Sequence, residues 1–386
     1  PLGCVRLAPG APLKIGVIQS LSGKVATLGL EQVRGMELAL ARRGNAVAGH
    51  PVALRLEDTT CVPEGGANAA LKIVSDPETV AVFGTTCSGD AATAARIVSG
   101  AGLSMISGNN SAPFLTAIGG ARAPKWQPGY LRTAPNEEAA GPAAARFAFQ
   151  HLGIRVAATI NDGDIYTKGL TDGFHKEFER LGGTVALSAT VNKRDDNMAP
   201  VLEAVRNAQA RLVFFPLFQP EGNALLAQAR KTPGMDGVVL MSDGSLIDES
   251  FITAMSDQAV GMYFVGPTPP LPGPGLDVLR GEYEARYGQR PPTIYYVSAF
   301  DAANILLDAI ENSSVRGPGG TLLIRKKALR DALYATKGHP GVSATLSCNE
   351  FGDCAPPRFN ILRLDDPSRG VEGLKANVID VYSPGS

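Results

Sequence analysis

The sequence contains few of the residues that build metal sites and nucleic-acid surfaces. Its 386 residues include four histidines and five cysteines. No two cysteines form a C-x-x-C pair, so we expect no metal site. Lysine and arginine number 36 against 37 acidic residues, a balance that favours neither a nucleic-acid partner nor an anionic membrane surface. No apolar run approaches the roughly 20 residues of a membrane span. The 44% hydrophobic content is that of a globular chain, and the length suffices for two domains.

The cysteine count favours an oxidising compartment. Two pairs and one remaining cysteine are typical of a disulfide-bonded protein in the periplasm or outside the cell, whereas five reduced buried thiols in the cytosol are the alternative. The cysteines are Cys4, Cys61, Cys87, Cys348 and Cys354. The sequence begins at Pro1 without an initiator methionine, so we expect a mature form from which a signal peptide has been removed.

Strand and helix patterns alternate along the chain and predict an α/β fold. A first series runs from "LKIGVIQ" (13–19) to "LSMISG" (103–108), and a second runs from about residue 137 to "GMYFVG" (261–266). The proline-containing segment 109–135 separates the two series. This rhythm predicts two doubly wound domains with parallel sheets and helices on both faces. The helical segments within 276–336 lack a sheet of their own and are expected to pack back onto the first domain.

The motifs of the common nucleotide-binding and hydrolytic enzymes are absent. The first strand-to-helix turn, "SLSGKVATLG", has glycines too widely spaced for a dinucleotide fingerprint and lacks the phosphate-loop pattern. The stretch "GTTCSGD" (84–90) does not match the G-x-S-x-G frame of a nucleophile elbow. No pattern in the sequence pairs a histidine with Cys87 as its general base. We therefore do not expect an enzyme.

Polar strand-to-helix turns favour ligand capture instead. Backbone N–H groups and a helix N-terminus at such a turn suit a carboxylate, and serine or threonine adds a hydroxyl donor. The turns are "TTCSGD" (85–90), "SGNNSAP" (107–113) and "DGDIYTKG" (162–169). Asp243 ends a strand of the second series and is a candidate partner for an ammonium group. The alternative for each residue is a helix cap.

The order of these segments resembles the bacterial periplasmic leucine/isoleucine/valine-binding protein family, the substrate-binding components of branched-chain amino-acid ABC transporters. The resemblance extends from about residue 13 to about residue 380. It is carried by "LKIGVIQSLSGKVATLG", "LEDTTC", "GTTCSGD", "MISGNNSAPFLT", "YLRTAPNE", "INDGDIYTKGL", "VFFPLFQPE" and "LMSDGSL".

The resemblance implies a type I periplasmic binding protein fold, with two Rossmann-like doubly wound lobes joined by three hinge crossings. The ligand would be clamped between the lobes. We expect the crossings near 131–135, 264–268 and 344–357. Lobe one would comprise 13–132 and 267–343, lobe two would comprise 136–264 and 357–384, and 1–12 would be an N-terminal extension.

In lobe one, the resemblance assigns the carboxylate end of the site. Ser88 matches the family serine that binds the ligand α-carboxylate, and Ser111 stands where a threonine with the same role is common. Asn109 occupies a neighbouring position that offers its backbone. Leu28 replaces an aromatic residue that packs on the ligand side chain, and Phe300 is matched to another pocket aromatic.

In lobe two, the resemblance assigns three further ligand-binding residues. Tyr166 matches a tyrosine that faces the cleft, and Phe218 stands where a tyrosine is common. Asp243 replaces the glutamate that holds the α-ammonium in leucine binders. Aspartate is one methylene shorter than glutamate, which puts its contact with an ammonium in question. Two alternative ligands therefore stay open: a carboxylate that lacks an amine, such as an aromatic or keto acid, and an amide or urea.

The resemblance implies one disulfide, and a turn sequence suggests a second. Cys61 and Cys87 match the lobe-one disulfide of the family, and Cys348 and Cys354 flank the turn sequence "NEFGD" and can close the last crossing. Cys4 lies in "PLGC", which faintly resembles a lipoprotein cleavage site. A lipid anchor at Cys4 is therefore an alternative to a disulfide partner upstream.

The function implied is capture of a branched-chain or other hydrophobic amino acid and its delivery to an ABC transporter membrane permease. Hinge closure would trap the ligand. We expect no cofactor, no nucleic-acid partner, a monomer, and a periplasmic or extracellular location. A ligand-sensing module of the same fold is the alternative. Turnover of any substrate would favour the hypothesis of an enzyme.

Overall fold

The computed structural model describes residues 2–268 and 273–383. The chain forms two compact units, the first comprising Pro1–Asn136 with Pro270–Pro356 and the second Glu137–Pro269 with Pro357–Ser386. Residues 269–272 of the predicted lobe-one segment 267–343, and residue 384 at the predicted end of lobe two, lie outside the described residues. The chain changes unit three times along its length.

The first unit opens with a parallel sheet and its helices. Its strands are β1 (Cys4–Leu7), β2 (Leu13–Gln19), β3 (Ala46–Val47), β4 (His50–Asp58), β5 (Thr79–Gly84), β6 (Met105–Ser107), β7 (Ala117–Ile118), β8 (Ala121–Arg122) and β9 (Tyr130–Arg132). Its helices in this part are α1 (Ala26–Ala41), α2 (Pro63–Val74) and α3 (Ser88–Gly100). Six strands form one sheet in the order β3-β4-β2-β5-β6-β9. All neighbours from β4 to β9 are parallel, which agrees with the burial of six of the seven residues of β2.

This strand order creates a switch point beside β2. The chain passes from β2 to β4 on one side and then to β5 on the other side. In open parallel sheets, ligands bind at the carboxyl ends of the two strands where the order reverses. The ends of β2 and β5 are Gln19 and Gly84, so this position is followed by the turn "TTCSGD".

The second unit repeats the same plan. Its strands are β10 (Val156–Asn161), β11 (Thr184–Thr190), β12 (Leu212–Phe214), β13 (Val239–Asp243) and β14 (Tyr263–Pro267). Its helices here are α4 (Ala140–Arg146), α5 (Ile165–Arg180), α6 (Ala199–Asn207), α7 (Glu221–Ala229) and α8 (Glu249–Met255). The five strands run parallel in the order β11-β10-β12-β13-β14. Their switch point therefore lies between β10 and β12.

The helical segment that follows returns to the first unit. It comprises α9 (Pro274–Tyr287), α10 (Tyr295–Ser313), β15 (Ser314–Arg316), β16 (Leu322–Arg325), α11 (Lys326–Tyr334), β17 (His339–Pro340) and β18 (Thr345–Leu346). The chain then enters the second unit as β19 (Phe359–Arg363), α12 (Gly370–Ala376) and β20 (Val378–Tyr382). Strands β19 and β20 extend the second sheet beyond β14 in antiparallel fashion.

The N-terminal segment differs from the extension that was expected over 1–12. Strand β1 pairs with β16 in a three-stranded antiparallel sheet of the first unit. Val5 and Leu7 are buried while Cys4 and Arg6 are exposed, the alternation of a strand with one covered face. Four residues are too few for that alternation to be recognised in the sequence. The predicted α/β class with two doubly wound sheets is confirmed.

Candidate functional site

The turn that follows β5 lies against the end of β2. A Cβ added to Gly84 would stand 2.3 Å from the Ile18 carbonyl oxygen, so glycine is needed for this close approach. The Ser20 N–H donates to Thr86 Oγ1 at 2.8 Å, which joins the turn to the residue after β2. The turn is thereby held at the switch point of the first sheet.

A second link ties the same turn to the loop after β4. Asp90 is fully buried and accepts hydrogen bonds from Thr85 Oγ1 at 2.6 Å and from Thr59 Oγ1 at 2.5 Å. A disulfide joins Cys61 to Cys87 across the same two segments. Cys87 is therefore a structural residue here, because a disulfide sulfur is not a free nucleophile.

Loss of this disulfide should destabilise the protein strongly. Its two cysteines are 26 residues apart, whereas Cys348 and Cys354, also disulfide-bonded, are 6 apart. Because cross-linking a longer loop removes more entropy from the unfolded chain, we expect Cys61→Ser with Cys87→Ser to lower the free energy of unfolding by about 3–4 kcal/mol. The matched control, Cys348→Ser with Cys354→Ser, should lower it by about 2 kcal/mol. Urea unfolding of both variants checks this, and an equal or reversed ranking would refute it.

Ser88 presents a hydroxyl at the start of α3. The residue is buried, and its Oγ accepts a hydrogen bond from the Ala112 N–H at 3.2 Å. The Ser88 hydroxyl hydrogen remains available to an acceptor. Ser88 is also the first residue of a 13-residue helix, where backbone N–H groups and the helix dipole favour an anion. This arrangement suits a carboxylate oxygen.

Ser111 and Asn109 lie on the loop after β6 and differ in what they offer. Within the described residues the Ser111 hydroxyl makes no hydrogen bond, although the residue is only 7% exposed. The Asn109 N–H donates to Ser107 Oγ at 3.0 Å, and its Nδ2 donates to the Thr86 carbonyl at 2.8 Å. The Asn109 side-chain amide thus fastens this loop to the turn after β5, and its N–H is bonded to the end of β6. The role of the Asn109 backbone toward a ligand stays a prediction.

Leu28 and Phe300 lie on different helices of the first unit, α1 and α10. Leu28 is buried in the first turn of α1, next to Gly29, whose added Cβ would stand 1.9 Å from the Ser20 carbonyl oxygen at the switch point. Phe300 packs in the core of the first unit, and its ring lies 4.7 Å from the guanidinium of Arg42. The Phe300 backbone packs against Gly35, which lies about 10 Å along α1 from Leu28, given 1.5 Å per residue. Its ring is thus directed to Arg42, and the pocket role of Phe300 stays a prediction.

The second unit brings its three predicted residues together. Tyr166 lies in the first turn of α5, where the Asp164 side chain caps the helix by accepting from the Tyr166 N–H at 2.9 Å. The rings of Tyr166 and Phe218 are 5.5 Å apart between centroids. The Tyr166 hydroxyl donates to the Asp243 carboxylate. Tyr166 comes after β10 and Phe218 after β12, so the cluster lies at the switch point of the second sheet.

The Asp243 carboxylate is already bonded within its own unit. Besides Tyr166, it accepts from Ser245 Oγ at 2.7 Å and from the Ser245 N–H at 3.3 Å, and it caps the short turn Gly244–Leu246. Burial raises the pKa of Asp243 to about 6, although hydrogen bonds from Tyr166 and Ser245 oppose this rise. The Ser242 Oγ is a fourth, longer contact, at 3.4 Å from Asp243 Oδ1. A carboxylate has about four acceptor positions, so these internal donors leave little capacity for a ligand ammonium.

Two buried residues near these turns were not identified from the sequence. Arg132 is completely buried, and its guanidinium binds the loop that carries Ser111. Gln19 ends β2, where its Oε1 accepts from Thr86 Oγ1 at 2.8 Å and its Nε2 is buried without a partner among the described residues. A charged residue within the strand pattern "YLRT" was the available signal for Arg132.

Neither a metal site nor a membrane helix is found in the described part of the chain. Over residues 2–268 and 273–383, no group of three or more histidine, cysteine, aspartate or glutamate residues could hold a metal ion. Over the same residues, no helix has the length and apolar content that a membrane crossing requires.

Two doubly wound units with polar turns at their switch points define a solute-binding protein of the type I periplasmic class. The family model described as "Periplasmic binding protein" matches residues 12–349, and the chain belongs to this family. The family is one of binding proteins, so the chain is not an enzyme.

Relatives of known description agree with this assignment. The chain is 26% identical over 358 residues to the Leu/Ile/Val-binding protein homolog 3 of Brucella melitensis, covering 92% of each sequence. It is 26% identical to a leucine-, isoleucine-, valine-, threonine- and alanine-binding protein of Pseudomonas aeruginosa, over 79% of this chain and 80% of that protein.

Solved structures share the fold. A leucine-binding protein from Thermotoga maritima superimposes with a TM-score of 0.83 at 21% identity, covering 96% of this chain and 99% of the other. A solute-binding protein from R. palustris in complex with benzoate gives a TM-score of 0.79 at 19% identity, covering 97% of each chain.

Proposed function

We propose that this protein is the extracytoplasmic solute-binding component of an ABC importer and captures a small organic carboxylate with an apolar or aromatic body. The observation that carries the proposal is the pair of serine hydroxyls on the two linked turns after β5 and β6 of the first unit. Ser88 has a hydroxyl hydrogen to donate at a helix N-terminus, and Ser111 has no internal partner in the described residues. Both suit a carboxylate, whose oxygens only accept hydrogen bonds.

Each unit carries apolar residues that suit the body of such a ligand. Leu28 on the first unit and the adjacent rings of Tyr166 and Phe218 on the second supply apolar and aromatic surface. Capture would proceed by closure about the crossings, which a ligand drives only by its stronger binding to the closed state.

The second unit favours a carboxylate without an amine, such as an aromatic or 2-oxo acid. Asp243 is filled by Tyr166 and Ser245, and its raised pKa weakens it as a partner for an ammonium. Two solute-binding proteins of this fold from Rhodopseudomonas palustris strains are described in complex with 4-hydroxybenzoate and with 3,4-dihydroxybenzoic acid, which supports this ligand class.

A branched-chain or other hydrophobic amino acid is the second candidate. The relatives named as Leu/Ile/Val-binding proteins support it, as does a Streptococcus pneumoniae relative of the fold described in complex with isoleucine. Asp243 stands at the position that the resemblance matches to the ammonium partner of leucine binders.

Calorimetric titration with a ligand panel tests the proposal. The panel comprises leucine, isoleucine, valine, their 2-oxo acids, benzoate, 4-hydroxybenzoate, isobutyramide and urea. We expect at least one carboxylate to bind with a Kd of about 1 μM, or about −8 kcal/mol. Binding of only the amide or urea, or turnover of any compound, would contradict the proposal.

The partner and location follow from the same proposal. A membrane permease would receive the ligand in the periplasm or at the outer cell surface, and the binding protein would act as a monomer. Co-purification of a permease with the ligand-loaded protein supports import, whereas a sensor would instead associate with a signalling protein. Cys4 is exposed and unbridged, so mass spectrometry of the native protein can test for a lipid on it.

A further inference from the structure

A buried arginine joins the Ser111 loop to a disulfide-closed hairpin of the same unit. Arg132 Nε donates to Asp353 Oδ1 at 2.7 Å, and both residues belong to the first unit. The Arg132 side chain is completely buried and that of Asp353 is 10% exposed. A buried charge pair is retained only when further hydrogen bonds satisfy its remaining groups. The other hydrogen bonds of Arg132 and Asp353 therefore show which segments of the chain this pair holds in place.

The remaining Arg132 donors point to the ligand loop. Nη1 donates to the Ala112 carbonyl at 2.7 Å and to the Asn110 carbonyl at 3.4 Å, the residues on either side of Ser111. Nη2 donates to Thr116 Oγ1 at 2.5 Å. Planar guanidinium geometry fixes these directions, which a lysine cannot reproduce.

The hairpin that supplies Asp353 is itself rigid. The Cys348–Cys354 disulfide closes it, and Asn349 Oδ1 accepts the N–H groups of Phe351, Gly352 and Asp353 at 3.0 Å each. Its backbone pairs with β9, since the Arg132 N–H donates to the Gly352 carbonyl at 2.9 Å and the Cys354 N–H to the Arg132 carbonyl at 3.0 Å.

These contacts have a common consequence for Ser111. The loop 109–116 has no strand or helix apart from the short turn Pro113–Leu115. The path of the backbone at Ser111 is therefore set by side chains. Arg132 binds the carbonyl groups of the residues before and after Ser111. Ser88 adds one more contact, through the Ala112 N–H.

We propose that Arg132, oriented by Asp353, is a positioning residue that presents the Ser111 hydroxyl to the ligand carboxylate. This inference rests on the proposed function for the role of Ser111, but the fastening of the loop can be measured without a ligand. It also assigns a purpose to the second disulfide, which holds Asp353 in place.

Hydrogen–deuterium exchange on the ligand-free protein is the first test. In Arg132→Lys, amides of 109–116 should exchange at least tenfold faster, while the sheet strands β2 and β5 keep their protection. Asp353→Asn should give the same local pattern and serves as the second variant if Arg132→Lys folds poorly. Unchanged exchange at 109–116, or an increase spread over the whole unit, would overturn the inference.

Asp301→Asn is the matched control for the exchange experiment. Asp301 is equally buried in the first unit and holds a different loop, accepting from the N–H groups of Val342 at 2.8 Å and Ser343 at 2.7 Å. Its replacement should speed exchange near 342–343 and leave 109–116 unchanged. Faster exchange at 109–116 in this control would mean that the loop responds to the loss of any buried charge in the unit. That result would overturn a specific role for Arg132.

A double-variant cycle on ligand affinity is the second test, with the tightest carboxylate of the panel as probe. Arg132→Lys should weaken binding about tenfold in the wild-type background but less than about threefold in the Ser111→Ala background, because both act on one contact. In the Phe218→Leu background the tenfold loss should persist. Additive losses with Ser111→Ala would overturn the positioning role. If no carboxylate binds the wild type, the proposed function fails, while the exchange result still decides the loop's fastening.

Discussion

Replacing Ser88 by alanine should weaken carboxylate binding by about tenfold to hundredfold. The substitution removes the hydroxyl donor and leaves one buried carboxylate oxygen short of a hydrogen bond, which costs about 1–3 kcal/mol. It also removes the acceptor of the Ala112 N–H, so the neighbouring loop loses a contact at the same time. Titration calorimetry with the tightest carboxylate of the panel measures the loss.

A serine at the other end of the same helix provides the control. Ser99 Oγ donates to the Pro128 carbonyl at 2.7 Å, away from the switch point. Ser99→Ala should leave the affinity within about twofold of the wild type, since a surface substitution away from the site changes free energies by about 0.5 kcal/mol or less. An unchanged affinity in Ser88→Ala would show that the site has been assigned to the wrong turn.

Leucine should bind at least tenfold more weakly than its 2-oxo acid, 4-methyl-2-oxopentanoate. The two ligands share a carboxylate and an isobutyl group and differ in the ammonium. Desolvating that ammonium without a full partner is costly, and Asp243 already accepts from Tyr166 and Ser245. Asp243→Asn should change the affinity for the 2-oxo acid by less than about threefold.

The pH dependence separates the same two ligand classes. Since the pKa of Asp243 is raised to about 6, the folded protein holds a proton there that the unfolded chain releases at lower pH. Because of Asp243, the free energy of unfolding should therefore fall as the pH rises from about 4 to 6. Binding of an ammonium would need the ionised form and would weaken by up to tenfold per pH unit below 6.

A ligand without an amine should instead keep or gain affinity as the pH falls from 7.5 to 5.5. Asp248→Asn is the control, since Asp248 is a buried cap of α8 in the same unit and is not part of the cluster. Tighter binding of leucine than of the 2-oxo acid, lost in Asp243→Asn and weakening below pH 6, would assign the protein to amino acids.

The fold was predictable because its information is local and repeated. Apolar strands such as "LKIGVIQ" alternate with helical segments, and their order fixes which turns reach the switch points. The positions of Ser88, Tyr166 and Asp243 follow from that order, since each lies at the end of a parallel strand or at the start of the helix that follows one. Strand β1 escaped recognition because it is four residues long and pairs with a strand more than 300 residues away.

The sequence alone could not show which hydrogen-bond partners each polar side chain has. The partners of Asp243 come from positions 166 and 245, and only the folded second unit shows that they fill its carboxylate. The resemblance assigns Phe300 to a pocket position, and the fold places its ring beside Arg42. The role of Arg132 depends on Asp353, which is distant in sequence and adjacent in the fold. Such contacts follow from tertiary packing, which no local pattern encodes.

The central claim is that the protein recognises a carboxylate at the turn carrying Ser88. Its most direct test is calorimetric titration of the tightest-binding acid against the primary amide of the same acid. The amide matches the acid in size but replaces one acceptor oxygen by a donor. The account predicts that the acid binds at least 100-fold more tightly and that Ser88→Ala removes most of this preference. Equal or tighter binding of the amide would contradict it.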